Sequence, residues 1–406
     1  MIRRLIFLAG LLLQAAGAQT ELSLKDAVEE ALRSNPLLDI GRDRIVVAEG
    51  LRQQAGLRFN PKLVLQSENT RPYGNPSFVY PRDTDNFAYL QQTFETAGKR
   101  DRRMEVAAAG VKRTELEREL LGRQIAGRVK QSYWLAAGAS QSEQLLSANL
   151  RNFLRIVEYH EIRVKEGAMA EVDLIRVRLE GERLEIALTQ AALDAERAGI
   201  QLQREMGRRE FPKLRLVEAL EGVVDDPVGT VEEALERRVE MKLARQQVEV
   251  ARAGLRLQQS ASRPNVDVLF GYKRTTGLDT MLGGVQVDLP FLNRNQGNIA
   301  AALGEIKAAE SSLGATEALI RAEVNASRRE YEIRKRQVGE SLRAMRDKAD
   351  ESARIAEAAY REGGTDLLRL LDAQRLRIET QLLYFQSLAA YRQSVAALET
   401  ALGVEP

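Results

Sequence analysis

The stretch from Asn293 to Gly364 constrains this chain more than any other. It opens Asn293-Arg-Asn-Gln-Gly297 and then runs on to Gly364 without a proline. Apolar residues keep a seven-residue rhythm along it: Ile299, Ile306, Leu313 and Ile320, then, after one four-residue step, Val324, Tyr331, Val338 and Met345. That is the seam of a helix packed lengthwise on neighbours, at a period of 3.5 rather than 3.6. At 1.5 Å per residue such a helix is on the order of 100 Å long. A second stretch of the same kind runs from about Lys99 to Glu166. Two very long helices set the plan, and the rest of the chain caps, closes and pairs them.

Residues 1–18 read as a signal peptide. Arg3 and Arg4 give the positive start, Leu5 to Leu13 the apolar core, and Ala16-Gly-Ala18 the cleavage site. The mature chain then starts at Gln19 and is exported. It holds no cysteine, so packing rather than disulfides must stabilise it. Loss of Arg3 and Arg4 takes the formal charge from +2 to about zero, which gives no electrostatic case for nucleic acid. Charged residues are 29% and aromatics 5%, a balance that suits long helices with wet faces better than a large compact core. No run of about 20 apolar residues follows the signal, so no membrane-spanning helix is expected.

Along the mature chain, Ser23 can cap a short amphipathic helix that Asn35-Pro36 ends. A second helix runs from about Leu37 to Arg58, and Asn60-Pro61 breaks it. Alternation over Lys62–Thr70 and Asn86–Glu95 predicts two strands, a hairpin at about 62–95 whose polar loop begins Arg71-Pro-Tyr-Gly-Asn-Pro76. The first long helix, about 99–166, ends at Gly167, where glycine can take a left-handed cap. A return helix, about 172–206, buries a stripe through Leu174, Val177, Leu184, Leu188, Ala191 and Ala195. Residues 208–229, with Pro212 and Pro227, read as an irregular joint.

The plan then repeats. Val231-Glu-Glu-Ala-Leu235 matches Val28-Glu-Glu-Ala-Leu32, and Arg263-Pro-Asn265 answers Arg58-Phe-Asn60. A hairpin at about 265–290 alternates through Val266, Val268, Phe270 and Tyr272 and returns from Leu282 to Leu289. The second long helix, about 295–362, stops at Glu362-Gly-Gly364, and a last helix fills about 366–403. The expected organisation is therefore a signal peptide, a first repeat over 19–207, the joint, and a second repeat over 230–406.

Four half-apolar strands of about ten residues do not fill a globular core, but they have the length that crosses an outer membrane tilted. Four strands leave two open edges, and unpaired backbone in lipid costs several kcal/mol per group. One chain cannot close such a sheet. Three copies would supply about 12 strands, an even number within the range known for barrels. Two water-facing hairpins capping a coiled coil is the alternative.

The residues themselves are familiar at this point. Over essentially all of its mature length the chain resembles the TolC family of outer membrane efflux ducts. The resemblance rests on Leu24 to Pro36, the Gly98-Lys-Arg100 turn, Asp288-Leu-Pro-Phe291, Asn293 to Gly297 and the two helix-hairpin tips. The Pro-Phe-Leu-Asn-Arg-Asn-Gln-Gly run looks most like the branch serving heavy-metal and cation efflux pumps. The resemblance implies a mainly α fold with a small β part: a trimeric α-helical barrel continued by a 12-stranded outer-membrane β-barrel, four strands per chain. It implies residence in the outer membrane with a long periplasmic extension. It also implies a homotrimer in outer membrane lipid, a periplasmic adaptor (membrane fusion protein) and an inner-membrane pump of the RND type as partners, with passive conduction and no cofactor. Many metal-pump members carry an N-terminal lipid, which this cysteine-free chain lacks.

The family closes its periplasmic end with charged side chains at the second tip. Here the matching positions are Arg369 and Asp372, with Asp366 at the head of the same helix. Arg369 reverses the family's acidic charge, and Thr365 stands at its arginine position. A gate and a solvated pair on one helix are both open readings. The resemblance places adaptor docking at Gly167, Asp173, Gly363 and Gly364; Asp173 caps the return helix, meets the adaptor, or does both. His160, the sole histidine, is expected to be exposed near the first tip and cannot build a metal site alone. No catalytic constellation is found. The rival function is a periplasmic coiled-coil scaffold or adaptor without a pore. An adaptor, however, carries one helical hairpin inside β-rich flanks, whereas this chain has two hairpins and few strands. The cargo, metal cations, drugs or, as an exit duct for type I secretion, proteins, is not separated by sequence.

Overall fold

The computed structural model describes residues 20–71, 77–222 and 225–404. The targeting segment and loop residues 72–76 lie outside the described residues. In chain order the elements are β1 (Thr20–Leu22), α1 (Leu24–Ser34), α2 (Pro36–Ala55), β2 (Lys62–Glu68), α3 (Tyr80–Asp83), β3 (Asp85–Phe94), α4 (Lys99–Lys165) and α5 (Glu171–Met206). They continue with β4 (Leu214–Leu216), α6 (Val231–Arg237), α7 (Val239–Ala261), β5 (Val266–Thr275), β6 (Leu278–Val287) and α8 (Gln296–Arg336). A π-helical turn (Gln337–Leu342) separates α8 from α9 (Arg343–Arg361), and α10 (Leu367–Leu402) closes the chain. The chain forms two compact units, each drawing on both halves of the sequence: one holds residues to Asp39, Leu120–Arg238 and from Leu319, the other Ile40–Glu119 and Val239–Ala318.

The first unit is built around α4 and α10. Ser23 caps α1 as expected, its hydroxyl accepting from the Asp26 amide at 3.0 Å. Ala27 and Ala31 of α1 then pack with Ile125, Val129 and Tyr133 of α4 and Leu202 of α5. Gly138 lets α4 meet α10 closely, since a Cβ there would stand 2.5 Å from the Ala389 methyl carbon. The joint is more ordered than its sequence suggests, for β4 pairs in parallel with β1. Arg392 of α10, 7% exposed, holds the joint by donating to the carbonyls of Leu220 at 2.9 Å, Ala219 at 3.2 Å and Gly222 at 2.6 Å. Its guanidinium lies 4.7 Å from the Trp134 ring centroid, a cation–π contact. Burial draws the Arg392 pKa below its usual value. Tyr133 binds the Glu218 carboxylate, which also accepts from the Leu24 amide at 2.8 Å, so the chain's start and the joint share one hydrogen-bonded knot. Beyond it, Asp226 accepts from Lys335 and Tyr331 of α8, which hold its carboxyl below the usual range.

The seam of the second long helix runs as read as far as Val338, with Ile320, Val324, Tyr331 and Val338 buried. There the seven-residue seam is displaced, although the helical backbone runs on to Arg361. The π turn takes more residues per turn than an α-helix, so everything after it is rotated. Met345, expected on the seam, is 43% exposed, while Leu342, Ala349 and Ala353 are buried in its stead.

The second unit holds the sheet, in order β2-β3-β5-β6, every pair antiparallel. β5 and β6 join through Thr276 and Gly277, with φ of 47° and 83°, the geometry of a two-residue hairpin turn that matches strand twist. This tight turn starts the return strand at Leu278 rather than at Leu282. Beside the sheet, α2 lies on α4, where Arg100 donates to the Gly56 carbonyl at 2.6 Å. α7 bridges two long helices. Gln246 donates to the Ala109 carbonyl of α4 at 2.9 Å and Arg256 pairs with Glu105, while Arg252 reaches Glu310 of α8 at 3.3 Å.

Replacing Arg392 with methionine keeps volume but leaves three carbonyls without their donor. At about 1 kcal/mol for each bond, the joint should open on the order of 100-fold more often. Limited proteolysis within residues 208–222 should accelerate by that factor, with cleavage elsewhere unchanged.

Candidate functional site

The sheet sorts its side chains by register. Across the pairs Leu65↔Ala88, Leu90↔Phe270, Tyr272↔Met281, Val268↔Val285 and Val266↔Val287, one face is mostly apolar, with Gln92 opposite Val268 as a polar exception. Among the described residues that face is exposed: Leu65 is 72% exposed, Phe270 60% and Val285 68%. The opposite face carries Gln66, Gln91, Thr93, Asp267, Lys273 and Gln286, and there the Thr93 hydroxyl donates to Asp267 at 2.5 Å. An exposed apolar face of this extent calls for a non-aqueous neighbour. β2 and β6 are the two edges and have no further strand beside them among the described residues. No helix among the described residues is long and apolar enough to cross a membrane.

The two helical tips are built alike. At the first, the Gly167 amide donates to Val164 and the Ala168 amide to Arg163; at the second, Gly363 donates to Tyr360 and Gly364 to Ala359. Both are Schellman caps, and Gly167 and Gly363 take the φ > 0 that this motif needs, 72° and 73°. The next helices start differently. Asp366 caps α10 by accepting from the Arg369 amide at 2.9 Å. α5 is headed by Ala170, with no side-chain cap. The capping role read for Asp173 is thus corrected: it lies in the first turn, where carboxylates suit the helix dipole, and pairs with Arg176 at 3.4 Å.

Arg369 and Asp372 are both exposed on α10. Among the described residues no ion pair joins them to each other. Counted from the two tip glycines, Asp173 and Arg369 occupy equivalent positions, and so do Arg176 and Asp372. The duplicated tips therefore carry the same two charges in opposite order.

His160 overturns the expectation of an exposed residue, for it is 0% exposed. Its Nδ1 lies 2.6 Å from the Ile156 carbonyl oxygen and its Nε2 2.9 Å from the Tyr360 hydroxyl, with the rings stacked at 5.7 Å. No local pattern announces this contact, because the partner comes from the other repeat. Below it, Phe153, Val177, Leu367, Leu370 and Leu371 form a small core that ties the two tips together. Arg375 pairs with Glu180, and Arg178 with Glu161 at 2.7 Å.

Two helical hairpins joined to an apolar-faced, open-edged sheet describe the membrane-duct class of fold. The sequence profile for outer membrane efflux protein matches residues 27–208 and again 230–404. The chain belongs to the outer membrane efflux protein family. It is 23% identical over 400 residues to the cobalt-zinc-cadmium resistance protein CzcC of Cupriavidus metallidurans, covering 96% of this chain and 91% of that protein. Its fold is shared with the CmeC outer membrane channel of Campylobacter jejuni (TM-score 0.79, 17% identity, 94% of this chain and 85% of that one). It is shared too with the outer membrane protein VceC of Vibrio cholerae (TM-score 0.74, 19% identity, 94% and 96%).

Tyr360→Phe, which removes the hydroxyl at His160, should cost about 1 kcal/mol. His160→Ala, which also opens a void, should cost about 2–4 kcal/mol. Tryptic cleavage near Arg361 and Arg369, compared across the two variants, checks that order. On the sheet, Phe270→Arg should block membrane assembly at a cost of about 2–4 kcal/mol near mid-membrane. Leu269→Arg, on the opposite face, should assemble; equal yields of both variants would reject the facing.

Proposed function

We propose that three copies of this chain form an exit duct in the outer membrane, the last component of a tripartite efflux system. The observation that carries the reading is the sheet. An exposed apolar face suits lipid, and two open edges are stable there only when other copies pair with them. Three chains give about 12 strands, enough to close a barrel around an aqueous lumen. Conduction is passive, and the energy comes from an inner-membrane pump, of the RND type in this reading, through a periplasmic adaptor that meets the tips at Gly167, Asp173, Gly363 and Gly364. A chain delivered to the outer membrane needs the leader read at residues 1–18.

At the second tip, rings of Arg369 and Asp372 supplied by three copies would narrow the duct by pairing across it. The cargo reading follows CzcC: divalent metal cations, passed through without tight binding.

The first test is the native mass of the mature protein extracted from outer membranes in mild detergent. A trimer supports the duct, and a monomer that is soluble without detergent rejects it. In planar bilayers, Asp372→Ala and Arg369→Ala should each raise single-channel conductance severalfold. Unchanged conductance would return both residues to a solvated helix face. Deletion of the gene should sensitise cells to cobalt, zinc or cadmium, and re-expression should restore resistance.

A further inference from the structure

We infer that a cavity walled by α4, α9 and α10 near the two tips binds a small organic anion with a flat apolar body, an aromatic carboxylate or sulfonate. Every wall residue belongs to the first compact unit, so the site does not depend on the duct reading.

The cavity measures about 480 Å³, within the range of sites that enclose a drug-sized molecule. Its inner wall is apolar, with Phe153 (5% exposed), Leu370 (2%) and Ile378 (9%). The stacked rings of His160 and Tyr360 extend that wall. The polar atoms of this pair are already engaged. A carbonyl oxygen only accepts, so His160 Nδ1 donates to Ile156, and in the neutral ring Nε2 accepts from the Tyr360 hydroxyl. The pair therefore offers a ligand surface rather than hydrogen bonds.

The charge on the wall is one-sided. Arg155, Arg361 and Arg377 share the cavity with a single carboxylate, Glu357, and Arg361 pairs with it. Among the described residues neither Arg155 nor Arg377 has a carboxylate partner. Each donates to an amide oxygen instead, Arg155 to Asn152 and Arg377 to Asn149 at 2.9 Å. The Nε of Arg377 is buried and has no acceptor among those residues. A half-buried guanidinium without an anion is costly, and Arg375, two residues earlier on α10, has Glu180 to offset that cost.

A second polar group on the wall is idle. Gln374 is 6% exposed, and its side-chain amide makes no hydrogen bond among the described residues. A buried amide without a partner is uncommon in folded proteins. Unpaired guanidinium groups and a free amide beside an apolar chamber suit a ligand that carries an oxyanion on a ring. The same charge disfavours metal cations, so this ligand is of a different class from the proposed cargo. Seated there, it would touch α4, α9 and α10 together and steady both tips.

Calorimetric titration of the full mature protein, in mild detergent, with naphthalene-2-sulfonate tests the site. One saturable site per chain is expected, weakened about tenfold or more by Arg377→Gln and by Arg155→Gln. Arg155 is exposed, so its replacement leaves folding intact and keeps the test valid should Arg377→Gln unfold the tip. Lys348→Gln, an exposed charge of α9 outside the cavity wall, should bind as the parent does. Sodium sulfate, which lacks the ring, and naphthalene-2-sulfonamide, which lacks the charge, should each bind about tenfold more weakly or less. At about 100 times its Kd the sulfonate should also slow tryptic cleavage after Arg361 on the order of 100-fold. Absence of saturable binding overturns the site, as does equal binding by the parent and Arg155→Gln. Equal affinity for sulfate alone overturns the ligand class. The native mass that decides the duct reading bears on neither result.

Discussion

A long helix in water holds only if a line of apolar side chains is buried along its whole length. Intrinsic propensity is too weak to stabilise a 67-residue helix such as α4, so lengthwise packing has to do so. That requirement explains the sequence at large. The chain is charged on its wet faces and apolar along narrow stripes, and it uses small residues such as Gly138 and Ala389 where two helices must touch. It also explains why the helices come as hairpins closed by Schellman caps. Each long helix needs a partner of comparable reach, and a left-handed glycine returns the chain in the fewest residues.

The sheet imposes the second requirement. Its residues alternate so that one face is mostly apolar, yet among the described residues that face stays exposed and nothing pairs with β2 or β6 on their outer sides. In water this would be an aggregation hazard. In a membrane it is a wall segment awaiting its neighbours. The duplication makes such a wall economical, because one pairing rule, β3 with β5 inside the chain, can be reused between chains. Efflux-duct function follows from this arrangement together with membership of the outer membrane efflux protein family.

The helix-closing glycines could be read before the structure: Gly167 and Gly363 take the left-handed caps that end the two long helices. What could not be read involved residues far apart in the chain. His160 meets Tyr360 across 200 positions, and Arg392 meets Leu220 across 172. A periodic pattern reports which face of a helix is buried, never against which residue. The same limit explains Asp173. Its place near a helix start suggested a cap, but the cap position is set by where the Schellman turn ends, and that falls at Ala170.

The sequence by itself determined the long helices, the recurrence of the Val-Glu-Glu-Ala-Leu motif, the strand alternation and the seam as far as Val338. Each of these is a local period of apolar residues, legible because burial repeats at 2.0 or 3.5 residues wherever one face meets a core. Only the tertiary structure decided the π turn and the shift of burial from Met345 to Leu342 and Ala349. It alone decided the β1–β4 pairing that orders the joint, and the burial of His160 and Arg392. The physical reason is that these are settled by what a distant segment offers: a carbonyl, a ring or a cavity of the right shape. No local pattern encodes that.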